Sequence, residues 1–525
     1  MIETALGLNT AFTAPHRLAT KAGADILEDG GTAIEAMVAA AATIAVVYPH
    51  MNGIGGDGFW LIKRRGEAPV GVFAAGQAAE TATLDWYAAR GHGTVLPARG
   101  AEAALTVPGT IGGWKLALSL TNARPLADLL APAIKLARDG LAVTRNQTDT
   151  TTEKLSGLAN VPGFSDHFLT DGQPPAAGTR LTQPALATTL DRLATAGLDD
   201  FYTGDIAATH ERFLEGAGSP LRAADFANYA ARRVTPLSLT TRSGQLYNMI
   251  PPTQGMSSLA ILGIFDRLGV AEAETFAHWH GLIEATKQAF ITRNAELGDP
   301  SAMSQPAETF LTDTEIAAMA ARIDPDRALP WPYDPSPGDT IWMGAVDAEG
   351  TVVSFIQSVF WEFGSGLTCP DTGIYFQNRG AGFTLTPGPN QLAPGKVPFH
   401  TLNPALAELP DGRVMAYGTM GGEGQPQTQS AVFSRYAMFG QTLQDALTAP
   451  RWLLGKTWGD DTTSLKIEAN AAPDLVAALT RAGHQIETIP AFSSLAGHAG
   501  AVVLHDDGRT EAATDPRSDG WAFAR

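Results

Sequence analysis

A nucleophilic site needs a hydroxyl or thiol and a group that takes its proton, so the chemically able residues are considered first. Cys369 is the single cysteine of the 525-residue chain. It excludes an internal disulfide framework and a thiolate zinc cluster, and alone it reads as a small buried hydrophobe. His278 and His280 lie two apart in a stretch, Glu274 to Leu297, patterned as a helix. They point to different faces, which argues against a metal pair. Thr340 is set differently. Five prolines fall in the thirteen residues from Pro325 to Pro337, a run that fits neither a helix nor a central strand and reads as an exposed connector. Gly338-Asp339 then delivers Thr340 to the start of a strand-patterned segment. Taken alone, this also fits an ordinary loop-to-strand transition, because β-branched residues are favoured at strand starts.

The elements around Thr340 follow from pattern. Thr340 to Val346, a turn at Asp347-Ala348-Glu349-Gly350, and Thr351 to Phe360 predict a hairpin. Pro15 to Glu28 predicts a helix ended by Gly30-Gly31, and Thr32 with Glu35 is a capping-box pattern opening a second. Its Ala36 to Val47 stretch is too short to cross a bilayer and predicts a buried helix. Asn52 to Gly58 predicts a glycine-dense turn feeding a strand at Phe59. Residues 125 to 230 read as mainly helical, with Leu126 to Asp139 the clearest case. Short strands are predicted at Ile374 to Phe376, Arg413 to Tyr417 and Ala501 to His505, and a helix at Pro473 to Ala482. Helices early and strands late, without a linker between two cores, predict α and β layers around one core.

A formal charge of -18 without a Lys/Arg patch excludes nucleic acid as an expected partner. The amino terminus lacks a secretory pattern, so a cytoplasmic location and no membrane partner are expected. Oligomeric state is left open, with a homo-oligomer possible.

Several motifs in order resemble the γ-glutamyltransferase superfamily of N-terminal-nucleophile hydrolases. Thr340 to Gly350 resembles the start of the family's small subunit. Ala19 to Gly23, Gly30 to Ala36 and Pro49 to Phe59 resemble its large-subunit signature. Val107-Pro108-Gly109-Thr110, Pro251-Pro252-Thr253-Gln254-Gly255, Leu297-Gly298-Asp299-Pro300, Phe363-Gly364-Ser365-Gly366, Asn403-Pro404, Gly421-Gly422 and Asp515-Pro516-Arg517 are similar to further landmarks. The resemblance implies a four-layer αββα sandwich and a precursor cut before Thr340. The pieces, 1–339 and 340–525, would stay interleaved in one unit. It implies Thr340 as nucleophile and, through its freed α-amine, as base. That amine has a reference pKa of about 8, suited to proton transfer near neutral pH. Ser358 would be the hydroxyl partner of Thr340, and Gly421 with Gly422 the oxyanion donors. No metal or organic cofactor is implied.

The pocket departs from the family's pattern. The carboxylate-binding arginine aligns with Leu84, the acidic amine anchor with Gly382 and the serine pair with His400-Thr401. An asparagine aligns with Phe360 and another polar residue with Arg379. This pattern resembles the oxamate amidohydrolase branch, which hydrolyses oxamate to oxalate and ammonia. It implies a small carboxylated amide bound by Arg379, His400 and Thr401, with Phe360 shortening the cavity. Two other readings remain open: a γ-glutamyl or cephalosporin-acylase-like enzyme, and a catalytically dead relative kept as a binding protein.

Overall fold

The computed structural model describes residues 2–331, 339–455 and 464–525, with Asp339 described by its backbone alone. Residues 332–338, which include the end of the proline-rich connector, lie outside the described residues. Two seven-stranded sheets face each other. In the first, the strands run in the order Ala5–Gly7, Thr510–Thr514, Ala499–Leu504, Val414–Thr419, Ala405–Glu408, Gly244–Asn248 and Leu237–Thr241. In the second, the order is Trp521–Ala524, Ala11–Ala14, Asp339–Val346, Val352–Phe360, Asp57–Lys63, Val70–Ala74 and Arg232–Val234. Every ladder within both is antiparallel. Each sheet draws strands from both sides of the Asp339–Thr340 junction.

Side chains from the inner faces, among them Phe59, Phe73, Trp342, Ile356, Leu406 and Val502, form the core between the sheets. Helices cover the outer faces. On the second sheet lies Ala33–Val47, every residue of which is buried. Its alanines let it pack closely between helices Arg17–Glu28 and Leu126–Asp139. Thr32 and Glu35 form the reciprocal capping box at its start. On the first sheet lie Gly255–Leu268, Phe276–Glu296 and Gln425–Phe433. The result is an α+β sandwich of four layers. Helix Arg17–Glu28 begins two residues after the Pro15 start predicted from pattern, with His16 as its cap. No helix among the described residues is long and apolar enough to cross a membrane.

Candidate active site

The predicted hairpin forms, and its irregularity shapes the site. Asp339 pairs with Phe360 and Ile341 with Gln357, so the ladder shifts register beside Thr340. A bulge of this kind re-aims side chains at the end of a strand. Strand Val352–Phe360 also pairs with Asp57–Lys63, setting Ser358 opposite Asp57. The strand ends at Phe360 with φ of 83°, a left-handed conformation costly for an aromatic residue. Asn378 ties this end down: its backbone N–H donates to Val359 O, and its Oδ1 accepts from Trp361 N at 3.0 Å. The next residue, Arg379, opens a short 3-10 turn, Arg379–Gly382.

Thr340, Ser358, Arg379, His400 and Thr401 are all fully buried. Arg379 Nη1 donates to Thr401 Oγ1 at 3.3 Å and Nη2 to Ser358 Oγ at 3.4 Å. Its guanidinium lies 4.1 Å from the Phe360 ring centroid. Gln425 Nε2 donates to Thr340 Oγ1 at 3.3 Å. Gln425 begins the helix that follows Gly421-Gly422, where φ is 121° and 54°. These values fall in the region that glycine reaches without strain. These contacts join Arg379 with Ser358, Thr401 and Phe360, and join Thr340 with the helix that follows Gly421-Gly422.

Asp57 joins them. Its Oδ1 accepts from Gly76 N, Gly109 N and Gln377 Nε2, while Oδ2 lies 3.2 Å from His400 Nε2. Burial pushes the Asp57 carboxyl up to about 7, and Arg379 and the three donors oppose this only in part. Burial also lowers the Arg379 guanidinium to about 9, with Asp57 opposing. His400 is held well below its ordinary value by burial and then by Arg379, so its imidazole is neutral. Arg379 Nε, both His400 ring nitrogens and Asp57 Oδ2 have no hydrogen-bond partner among the described residues. A buried cation facing neutral hydroxyls and unmatched polar atoms is suited to receiving an anion.

The positions that depart from the family's pattern are also explained. Leu84 is exposed at the first turn of helix Leu84–Ala88. At Gly382 a Cβ would meet Phe399 O at 2.9 Å, so an acidic side chain has no room there without a backbone shift. Sequence reasoning gives no individual role to Asp57, Gln377, Asn378 or Gln425; Asp57 stands inside the glycine-dense turn and reads as part of it. His278 and His280 do diverge. His278 Nε2 lies 2.9 Å from Ser434 Oγ, and His280 Nδ1 lies 2.9 Å from His484 Nε2. His280, Glu284 and His484 are close enough to share an ion. Glu284 Oε1, however, already has Lys287 Nζ at 2.6 Å, and His280 Nε2 is engaged with Asp324 O. This cluster is a polar tie between distant segments and is poorly suited to a divalent cation.

Two antiparallel sheets between helical layers, with a threonine at the start of a central strand, define an N-terminal-nucleophile hydrolase. The chain belongs to the gamma-glutamyltranspeptidase family, whose model matches residues 19–524. It is an enzyme, an amidohydrolase of that family. It is 51% identical to the oxamate amidohydrolase proenzyme of Klebsiella pneumoniae over 515 residues, covering 97% of each chain. It is 36% identical to the glutathione hydrolase-like YwrD proenzyme of Bacillus subtilis, covering 99% of each. Among solved structures, the cephalosporin acylase of Bacillus halodurans superposes with a TM-score of 0.92 at 32% identity, covering 100% of this chain and 97% of the other.

Proposed function

We propose that the chain cuts itself between Asp339 and Thr340 and then hydrolyses a small carboxylated amide, with oxamate the first choice, to the dicarboxylate and ammonia. The observation that carries this reading is Arg379, a fully buried guanidinium with an unpaired Nε among the described residues, ringed by Thr401, Ser358 and Phe360. The likeness to an oxamate amidohydrolase supports the choice of substrate.

In this reading the substrate carboxylate pairs with Arg379, and Thr401 adds a hydroxyl. The adjacent amide carbonyl then lies at Thr340. Thr340 Oγ forms a bond to that carbon while its proton passes to the freed α-amine of the same residue. The carbonyl oxygen becomes an oxyanion facing the Gly421 and Gly422 amides, whose fixed dipoles need no reorganisation. When the tetrahedral species collapses, the C–N bond breaks and the nitrogen takes the proton from the amine, leaving as ammonia. Water then attacks the threonyl ester, giving a proton to the amine; the ester C–Oγ bond breaks, Thr340 Oγ takes that proton, and the second carboxylate is released. For oxamate the sum is oxamate and water giving oxalate and ammonium. Phe360 closes the cavity against longer acyl groups, and a γ-glutamyl group would lack the amine anchor that Gly382 has no room to supply.

Ammonia release from oxamate and from glutamine, measured in parallel with Thr340→Ala as the blank, tests the reading. Release from oxamate alone is expected. So is electrophoretic separation into pieces of 1–339 and 340–525 that the variant fails to give. Release from glutamine alone would replace the proposal with a γ-glutamyl enzyme, and an intact single chain with no release would point to a catalytically dead relative.

A further inference from the structure

The Gly421-Gly422 turn is held by a second buried cluster that the mechanism above does not use. Gly421 O accepts from Gly424 N at 2.8 Å. In a trans peptide the C=O and N–H point in opposite directions, so this bond orients the Gly422 N–H the other way. Gly422 O accepts from Gln254 Nε2 at 2.8 Å, and the other proton of the same amide goes to Thr401 O at 2.7 Å. Gln254 Oε1 accepts from Arg293 Nη1 at 3.2 Å, while Arg293 Nη2 reaches Glu423 Oε2 at 2.5 Å. All of these side chains are buried. The amide orientation is fixed by this network, because a flip would set Oε1 against two carbonyl oxygens and NH2 against a guanidinium.

The ring therefore closes on two successive residues of the turn, Gly422 and Glu423. Through Thr401 it also grips the segment whose hydroxyl meets Arg379. We infer that Gln254 is a positioning residue that sets the separation between the Arg379–Thr401 anion pocket and the Gly421-Gly422 amides, with the Arg293–Glu423 pair locking its amide. The inference rests on the proposed roles of those two regions. Its functional consequence is selection by length: a fixed separation admits an amide carbonyl directly bonded to the carboxylate carbon and discriminates against one a methylene further away.

The experiment compares ammonia release from oxamate and from malonamate, the monoamide one carbon longer, by wild type, Gln254→Leu and Arg293→Lys after self-cleavage. Gln254→Leu is expected to lower kcat on oxamate by roughly 100-fold, the scale of losing one aligned oxyanion donor. It should also shrink the oxamate-to-malonamate ratio of kcat/KM by roughly tenfold, the scale set by one methylene. Arg293→Lys keeps the charge but loses the fork, and should move both quantities part of the way. It also stands in if Gln254→Leu does not fold. Equal losses on both substrates, or an unchanged kcat with a raised KM alone, would overturn the inference. Failure of the functional reading shows separately in the wild type, as no release from oxamate. The inference is then read from kcat on glutamine, where an unchanged value in both variants would also overturn it.

Discussion

Two regions of this molecule bury arginines at nearly zero exposure and treat them oppositely. Arg451 and Arg517 lie among Asp515 and Glu468. Arg451 Nη2 meets Asp515 Oδ2 at 2.7 Å, and Arg517 reaches both carboxylates. Every guanidinium nitrogen of the two except Arg451 Nε is hydrogen-bonded. Two positive charges face two negative ones. Burial alone would push the Asp515 carboxyl up, but Arg451 and Arg517 outweigh it and hold it below its ordinary value. At Arg379 burial wins instead. Asp57, the nearby carboxylate, spends its Oδ1 on three other donors, and among the described residues the hydrogen bonds of Arg379 go to neutral hydroxyls. The first cluster balances its charges as folded; in the proposed reading the second is completed by an anion from outside.

That difference predicts opposite signs on substitution. Arg517→Ala leaves Glu468 without its ion-pair partner and Asp515 with Arg451 alone, and should cost about 3–5 kcal/mol of stability, read from a urea midpoint, with KM unaffected in whatever folds. Arg379→Met removes an incompletely paired buried charge and should leave the midpoint unchanged or raise it. It should also raise KM for oxamate roughly 100-fold, since a charge-assisted contact is worth about 1.5–3 kcal/mol. Equal destabilisation by the two variants would erase the distinction and make Arg379 a structural residue.

Asp57 sharpens the contrast through pH. Its folded value of about 7 stands above the unfolded reference of about 3.9, so the native state holds a proton there that the unfolded chain has lost. Its stabilising contribution is full below the unfolded value and disappears as pH rises toward 7, an effect on the order of a few kcal/mol. Asp57 Oδ2 lies 3.2 Å from the neutral His400 ring. The charged and titratable groups bearing on Asp57 are Arg379 and His400, with Tyr202 and Tyr229 behind the turn at Gly109. Subtracting the Asp57→Asn midpoints from those of wild type between pH 4.5 and 7.5 should isolate a falling slope. A flat difference would show that Asp57 is ionised throughout and that the Arg379 pocket is already balanced.

Legibility in the sequence divides along the same line between local and assembled features. The capping box at Thr32, the Leu126–Asp139 helix ended by Gly140 and the hairpin around Asp347 each depend on residues adjacent in the chain, and all form. Ser358, Arg379 and Gly421-Gly422 stood out only because motif order resembled a family; the structure sets Ser358 against Arg379 and leads from Gly421-Gly422 into the helix whose Gln425 meets Thr340. Asp57 was hidden because its importance depends on amides 19 and 52 residues away, in turns whose meeting no spacing announces. Gln254 spans farther still, 168 residues to Gly422. The His280–His484 contact, 204 residues apart, has the same character. A polar residue in a buried network takes its role from partners that only the complete fold assembles.

Phe360 offers the smallest effect because two of its consequences oppose each other. Its φ of 83° costs on the order of 1–3 kcal/mol, and asparagine tolerates that conformation better than an aromatic residue. The ring face over Arg379 returns about 1–2 kcal/mol through cation–π attraction. Phe360→Asn should therefore shift the urea midpoint little in either direction. In the proposed reading, removing the ring lengthens the space beside the guanidinium, so the preference for oxamate over longer monoamides such as succinamate should fall by roughly 10-fold, the scale of pocket discrimination by one or two methylenes. If stability drops steeply while the preference holds, the ring is packing that supports Arg379 from one side, and the length limit lies elsewhere in the pocket.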